Sequence, residues 1–500
     1  MHFARSSGIL LHPTSLPGAH GSGDFGAAAY HFVDWLASAG QTLWQILPLG
    51  GIGPGNSPYM SSSAFAGNVL LIDLAELREH GWLNEAELVP HPGFQSHRVD
   101  YGLVHRFRMD RLRLAARRFC AAAAPTDYAA FCADQHSWLD DYALFMALAD
   151  HHDWQDWSAW EPKLARRDKR ALAKAAASLH DEVEFWKFCQ WCFFRQWHAL
   201  KQYANQRGIQ IVGDIPIFIA YQSAEVWARQ ELFILDQDRR PAVVAGVPPD
   251  FFSATGQRWG NPLYHWPAHE KEGFAWWIAR IRQTIALVDI VRIDHFRGFA
   301  GYWEIPASEP TAIHGRWMPG PGAKLFEAIQ QALGKLPIIA EDLGIITPDV
   351  TALRDQFELP GMRILQFAFG GDASNSFLPH NYARNTVVYG GTHDNDTAIG
   401  WFEAATPHER AFVCRYLGSD GQEIHWSLIQ AASQSIADIA IHPLQDVLGL
   451  TSDCRMNLPG KGEGYWEWRF SWDQVQPWHA ERLYEITAVH GRCAMDRLSF

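Results

Sequence analysis

A chain of 500 residues, 48% hydrophobic and 19% charged, can bury a large core, and its length accommodates several ordinary domains or one elaborated barrel. Its net charge of −13, with no block of Lys or Arg, lacks the basic footprint of a protein that wraps a phosphate backbone, so no nucleic-acid partner is expected. Seven cysteines, an odd number scattered from Cys120 to Cys493, do not form the dense even pattern of a secreted disulfide scaffold, and reduced thiols are the expectation.

The opening MHFARSSGILLHPTSLPG is apolar only from Gly8 to Leu11, too short for a signal-peptide core. No stretch approaches the roughly 18 apolar residues of a membrane helix. A soluble cytoplasmic protein that does not engage membranes is the expectation. GSGDFG at 21–26 has the spacing of a dinucleotide-binding loop, but Pro13 and Pro17 stand where that motif requires a strand, so no dinucleotide site is expected.

Along the chain, short apolar runs that end in polar or acidic residues read as buried parallel strands. They are Thr42 to Leu49, Ile209 to Ile219, Ala286 to Ile293, Leu336 to Ala340, Gly361 to Phe369 and Thr386 to Tyr389. Helical patterns such as Ala323 to Leu333 and Pro348 to Phe357 separate them, the alternation of an α/β protein. Residues 84–208 differ: RFRMDRLRLAARRFCAAAA and EFWKFCQWCFFRQWHALKQYANQRG read as helices of an insertion. It would divide the start of a barrel, 1–83, from its remainder, 209–500. Two Gly-, Pro- and Ser-rich stretches, 50–68 and 245–266, read as long loops.

The acids cluster where the strands stop: Asp214 in VGDIP, Asp294 in VRIDHF, Glu341 and Asp342 in AEDLG, Asp394 in GTHDND. In a (β/α)8 TIM-type barrel such strand ends converge on one face, where the active site sits. Breaking a glycosidic bond with retention needs one carboxylate to attack the anomeric carbon and a protonated carboxyl to supply the leaving oxygen with its proton. Asp294 and Glu341, at neighbouring strand ends, meet that need. Arg292, two residues before Asp294, points the same way on an extended strand and favours an ionised nucleophile. Glu341 follows the apolar LPIIA, where desolvation raises its pKa; Asp342 competes for the same role, and the residues alone do not rank the two. The 23 Trp, 14 Tyr and 29 Phe suit sugar faces as well as core packing.

VRIDHFRGF (291–299), AEDLG (340–344) and GTHDNDT (391–397) resemble the catalytic signatures of the 4-α-glucanotransferases called amylomaltases. Further matches run along the whole chain: SPYMSSSAFAGN, GDIPIF, GVPPDFFSATGQRWGNPLY, LPGMRILQFAF, LPHNY, PLQDVLGL and RMNLPG. The resemblance implies an α-amylase-like barrel with helical insertions and long loops over its C-terminal face. It implies Asp294 as nucleophile, Glu341 as acid/base and Asp394 as stabiliser of the oxocarbenium-like transition state. By the same resemblance Arg292 and His393 hold the nucleophile and the sugar hydroxyls. Tyr59, Asp250 and Asp372 line glucan subsites, and Asp214 is a structural or sugar-contacting acid. Independently of the resemblance, the Gly and Pro residues of 245–266 together with Phe251, Phe252 and Trp259 make that stretch the expected cover of the site, with Trp259 binding substrate. Pro54, Gln222 and Tyr465 depart from the family pattern and leave secondary glucan binding open.

Such an enzyme would cut an α-1,4-glucan and pass the fragment to glucose or another maltooligosaccharide without cofactor or metal. The 24 histidines form no metal-ligand motif, and Cys189 and Cys192 lie in a helix without a second pair. The alternatives are a glucan hydrolase on the same fold and a catalytically silent glucan-binding protein.

Overall fold

The structure, a computed structural model, describes residues 3–122, 125–250 and 253–494. The strands among them are β1 (Ser6–Leu10), β2 (Leu43–Gln45), β3 (Gln210–Pro216), β4 (Val243–Val247), β5 (Gln257–Pro262), β6 (Ile290–Asp294), β7 (Gly301–Pro306), β8 (Arg316–Pro319), β9 (Ile338–Ala340), β10 (Gly361–Ile364), β11 (Thr386–Tyr389) and β12 (Ile439–Pro443). Eight of them form one parallel sheet in the order β10-β11-β12-β1-β2-β3-β6-β9. β2, β9, β11 and β12 are buried at every residue, as strands sandwiched between helices and a barrel interior must be.

The sheet curls until β9 meets β10. The Ala340 N–H donates to the Pro360 carbonyl at 3.0 Å, and the Met362 N–H donates to the Asp342 carboxylate at 2.7 Å. Gly361 makes this approach feasible, because a Cβ there would stand 2.5 Å from Asp342 Oδ2. The sheet thus nearly closes into the TIM-type barrel expected from the strand-helix alternation. On its other side β1 pairs with both β2 and β12. The fully buried Arg492 donates to the carbonyls of Ser6, Ser433, Ser435, Ala437 and Asp438, and Arg5 reaches three of the same carbonyls.

Residues 101–206 are largely helical, with Tyr101–Cys120 and His180–Gln206 as the longest members, and one continuous apolar core joins them to the barrel. Most of the tryptophan wealth serves this packing: Trp44, Trp157, Trp197, Trp227, Trp277 and Trp426 are fully buried. Gln190, buried in the helix His180–Gln206, clamps the loop after β2, accepting from Gly67 N–H at 2.8 Å and donating to Gly67 O at 3.0 Å. Gln190→Leu strands both backbone groups in an apolar setting and should lower unfolding stability by about 2–4 kcal/mol, measurable as a shift in the urea midpoint at constant m-value.

The segment 245–266 is not a loop throughout. β4 and β5 pair antiparallel within it and join β7 and β8 in a four-stranded sheet, order β5-β4-β7-β8, built from the chain that follows β3 and β6. Its Gly and Pro residues hid the strands; Gly246, for example, is needed because a Cβ would meet the Gln257 carbonyl at 2.2 Å. Phe251 and Phe252, expected in the cover, lie outside the described residues.

Candidate functional site

Strand register assembles the site. β3 and β6 pair with Asp214 beside Arg292 and Pro216 beside Asp294, so Asp214, Arg292 and Asp294 project to one face. β6 and β9 pair with Ile293 beside Ala340, and one step further Asp294 runs alongside Glu341. Neighbouring strands lie about 4.8 Å apart, near the roughly 5–5.5 Å carboxyl spacing of retaining enzymes.

Arg292, 3% exposed, is the hub. Its guanidinium donates to Asp214 and, at 3.0 Å, to Asp294 Oδ1. The Tyr59 hydroxyl donates to Asp214 Oδ2 at 2.8 Å and lies 2.9 Å from His393 Nε2. Since the phenol has one proton and gives it to Asp214, the histidine Nε2–H is the donor in the second contact. Burial pushes the His393 pKa down and keeps the ring neutral. Its ring stacks on Tyr59 with centroids 5.4 Å apart, and Trp466 packs against both.

Glu341 and Asp342 turn to opposite sides of their strand, which separates the two rivals. Asp342 is committed to Arg354 at 2.5 Å and to the Met362 N–H, at the seam of the barrel. Glu341 accepts from the backbone N–H of His295 at 2.6 Å and of Leu343 at 2.8 Å. His295, directly after Asp294, adopts the left-handed conformation (φ 53°, ψ 48°), uncommon outside glycine. Glu341 therefore touches the residue next to Asp294.

Burial is the largest influence on both carboxyls. It raises Glu341 to about 7, against the pull of Arg292 and the two backbone donors, with Asp342 adding to the rise. It also pushes Asp294 well above the usual range, with Arg292 opposing and Asp214, Glu341 and Asp394 reinforcing. The Asp294 side chain is 29% exposed and touches a guanidinium, whereas Glu341 is 8% exposed and has no cation in hydrogen-bond contact. The proton shared by the pair therefore rests on Glu341.

Asp394 ends the loop after β11. Its Oδ1 accepts from Asn457 Nδ2 at 2.6 Å and lies 3.5 Å from His393 Nε2, and its carbonyl accepts from Arg455. Trp259, on β5, meets His295 edge-on at 4.8 Å. Asp250 lies between β4 and β5 and Asp372 after β10, and they accept from Ser253 N–H and Ser374 N–H, each at 2.8 Å. Tyr59, Asp214, Arg292, Asp294, His393 and Asp394 thus form one contact network, while Asp372 stays at the exposed periphery. Asn457 and Arg455 went unassigned in the sequence because RMNLPG carries no acid and no periodicity. Among the described residues no group of three His, Cys, Asp or Glu could hold a metal ion, no helix is long and apolar enough to cross a membrane, and none of the seven cysteines is in a disulfide.

The family model described as 4-alpha-glucanotransferase matches residues 11–475. This chain belongs to the 4-alpha-glucanotransferase family. It is 52% identical over 494 residues to the 4-alpha-glucanotransferase of Thermus thermophilus, covering 97% of this chain and 98% of the relative. The corresponding protein of Synechocystis is 51% identical over 495 residues, with 98% of each chain covered. Among solved structures, the amylomaltase of Streptococcus agalactiae in complex with acarbose is 39% identical, superposes with a TM-score of 0.96, and covers 98% of this chain and all of that one. The chain is therefore a transglycosylase of the 4-alpha-glucanotransferase kind, built on the amylomaltase barrel.

Within this 4-alpha-glucanotransferase site, Asn457 has a measurable task. Asn457→Ala frees Asp394 from its 2.6 Å contact, and kcat should fall about tenfold to hundredfold with a smaller change in acceptor KM, read from initial rates of glucose release from maltotriose.

Proposed function

We propose that this protein moves a segment of an α-1,4-glucan to the 4-hydroxyl of glucose or another maltooligosaccharide through a covalent glycosyl-aspartate. The observation that carries the reading is the side-by-side placement of Asp294, in contact with Arg292, and the buried, proton-holding Glu341 on adjacent strands. Glu341 protonates the oxygen between two glucose units while Asp294 attacks the anomeric carbon, and the reducing-end fragment leaves. Glu341 then takes the proton of the acceptor hydroxyl as that oxygen displaces Asp294, and two inversions restore the α-linkage. Asp394, held by Asn457, hydrogen-bonds ring hydroxyls more strongly as positive charge develops.

In this reading Tyr59, Asp214, Arg292 and His393 hold the nucleophile and the sugar at the point of cleavage. Trp259, Asp250 and Asp372 serve more distant sugars. The β4–β5 hairpin covers the bound intermediate and favours sugar over water as its acceptor, and a cytoplasmic location agrees with cysteines that form no disulfide among the described residues.

Incubation with maltotriose tests the reading. Transfer yields glucose and a ladder of longer maltooligosaccharides; glucose and maltose alone would replace it with hydrolysis. A chain with the hairpin shortened should yield more hydrolysis relative to transfer, and an unchanged ratio would remove its covering role.

A further inference from the structure

The β7–β8 hairpin presents a tryptophan whose surroundings are built while one side stays open. Trp317 lies on the edge strand β8 and is 42% exposed. Register sets it opposite Trp303, with the rings edge-on and centroids 5.2 Å apart. The Arg297 guanidinium covers one face of the indole at 3.8 Å from its centroid. Arg297 is itself buried, 5% exposed, and donates through Nη1 to the Ile345 carbonyl and through Nε to the Gly301 carbonyl. The ring is thus fixed by one face and one edge before any ligand arrives, a preorganised surface that loses little freedom on binding.

Arg297 links this surface to the segments that carry the carboxylate pair, stacking on Trp317 and donating to the Ile345 carbonyl. Arg297 follows Asp294 by three residues. Ile345, 48% exposed, follows Glu341 by four, a reach of at most about 14 Å. Between them Gly344 has φ 82° and open space where a Cβ would stand. The ion pair of Arg316 and Glu304, 2.6 Å apart with the Arg316 side chain 70% exposed, lies in the same two strands. A flat, partly exposed indole held by Arg297, with the Arg316–Glu304 ion pair in the same two strands, matches the C–H face and hydroxyl edge of a pyranose.

A general acid must face the leaving oxygen, so the chain that continues from Glu341 runs on the side of the departing and incoming sugars. The geometry points to Trp317 as a binding surface for the acceptor side of the glucan, beyond the sugar that takes the new bond. This inference rests on the transglycosylase reading above and adds to it a preference for longer acceptors.

With α-maltosyl fluoride as donor, initial rates of transfer to radiolabelled glucose and to radiolabelled maltohexaose are compared in the wild type, Trp317→Ala and Trp317→Phe. The KM for maltohexaose should rise about five- to twentyfold in Trp317→Ala with kcat little changed, and Trp317→Phe should recover most of the loss. Transfer to glucose, too short to reach the indole, should change less than twofold. An unchanged KM for maltohexaose, or an equal loss with both acceptors, overturns the inference while leaving the transglycosylase reading in place. A wild type that releases fluoride but forms no transfer product removes both.

Discussion

Asp294→Asn should lower glucan transfer by at least about 10⁴-fold, equivalent to about 5.4 kcal/mol of barrier, with the fold unchanged. Asparagine keeps the size of the side chain and an oxygen to accept from Arg292 Nη2, now 3.0 Å from Asp294 Oδ1. Arg292 remains neutralised by Asp214, to which it also donates, so no buried cation is left unpaired. What disappears is the charge that, in the proposed mechanism, attacks the anomeric carbon, and with it the covalent route. The measurement is the maltotriose ladder by initial rates, with circular dichroism as a check on folding. Retention of more than about one-hundredth of wild-type transfer would show that another group is the nucleophile.

The second large effect concerns Glu341 and separates its two duties. As the proposed general acid it must be protonated, and burial raises its pKa to about 7. Glycosylation from a glucan donor is therefore supported below that value and falls tenfold per pH unit above it, in kcat/KM. Asp294 must be ionised to attack, and burial pushes its carboxyl up as well, with Arg292 opposing; its protonation lowers the rate on the acid side and gives a bell. Glu341→Gln should cost about 10²–10⁴-fold with glucan donors. With α-maltosyl fluoride, whose leaving group needs no proton, the first step should recover and the alkaline limb should vanish. The second step still lacks a base, so one maltosyl unit should accumulate on the peptide that contains Asp294, visible by mass spectrometry after rapid quenching. An adduct on another peptide, or no rescue by the fluoride, would sink the division of roles.

The architecture was legible where burial on both faces left uninterrupted apolar runs. β2, β3, β9, β10 and β11 all fall within predicted segments, β6 passes its segment only by Asp294, and the helix Ala323–Leu333 has the predicted bounds. β1 and β12 were not foreseen. β1 begins with Ser6 and Ser7 and its apolar run is cut short by His12 and Pro13, while β12 is only IAIHP. Their identity depends on pairing with each other across the whole chain, which no local pattern encodes. β4 and β5 escaped for a related reason: their Gly and Pro residues serve close backbone contacts and look like loop composition.

The carboxylates were legible because acids after apolar runs are costly and conspicuous. Favouring Glu341 over Asp342 drew on the structure, where Arg354 and, at the barrel seam, the Met362 N–H hold Asp342. Asn457 was invisible because its role exists only through Asp394, sixty-three positions away.

The pairing of β1 with β12 also bears on how the molecule is made. Arg5 meets its carbonyl partner at Ser435 across 430 positions, so one edge of β1 has no strand beside it until most of the chain exists. At about 5–20 residues per second, a ribosome leaves that edge uncovered for roughly 20–90 s. Exposed strand edges template pairing with other chains. The barrel therefore completes late in synthesis, and slowed elongation should raise aggregation of nascent chains more than of full-length protein refolded from denaturant.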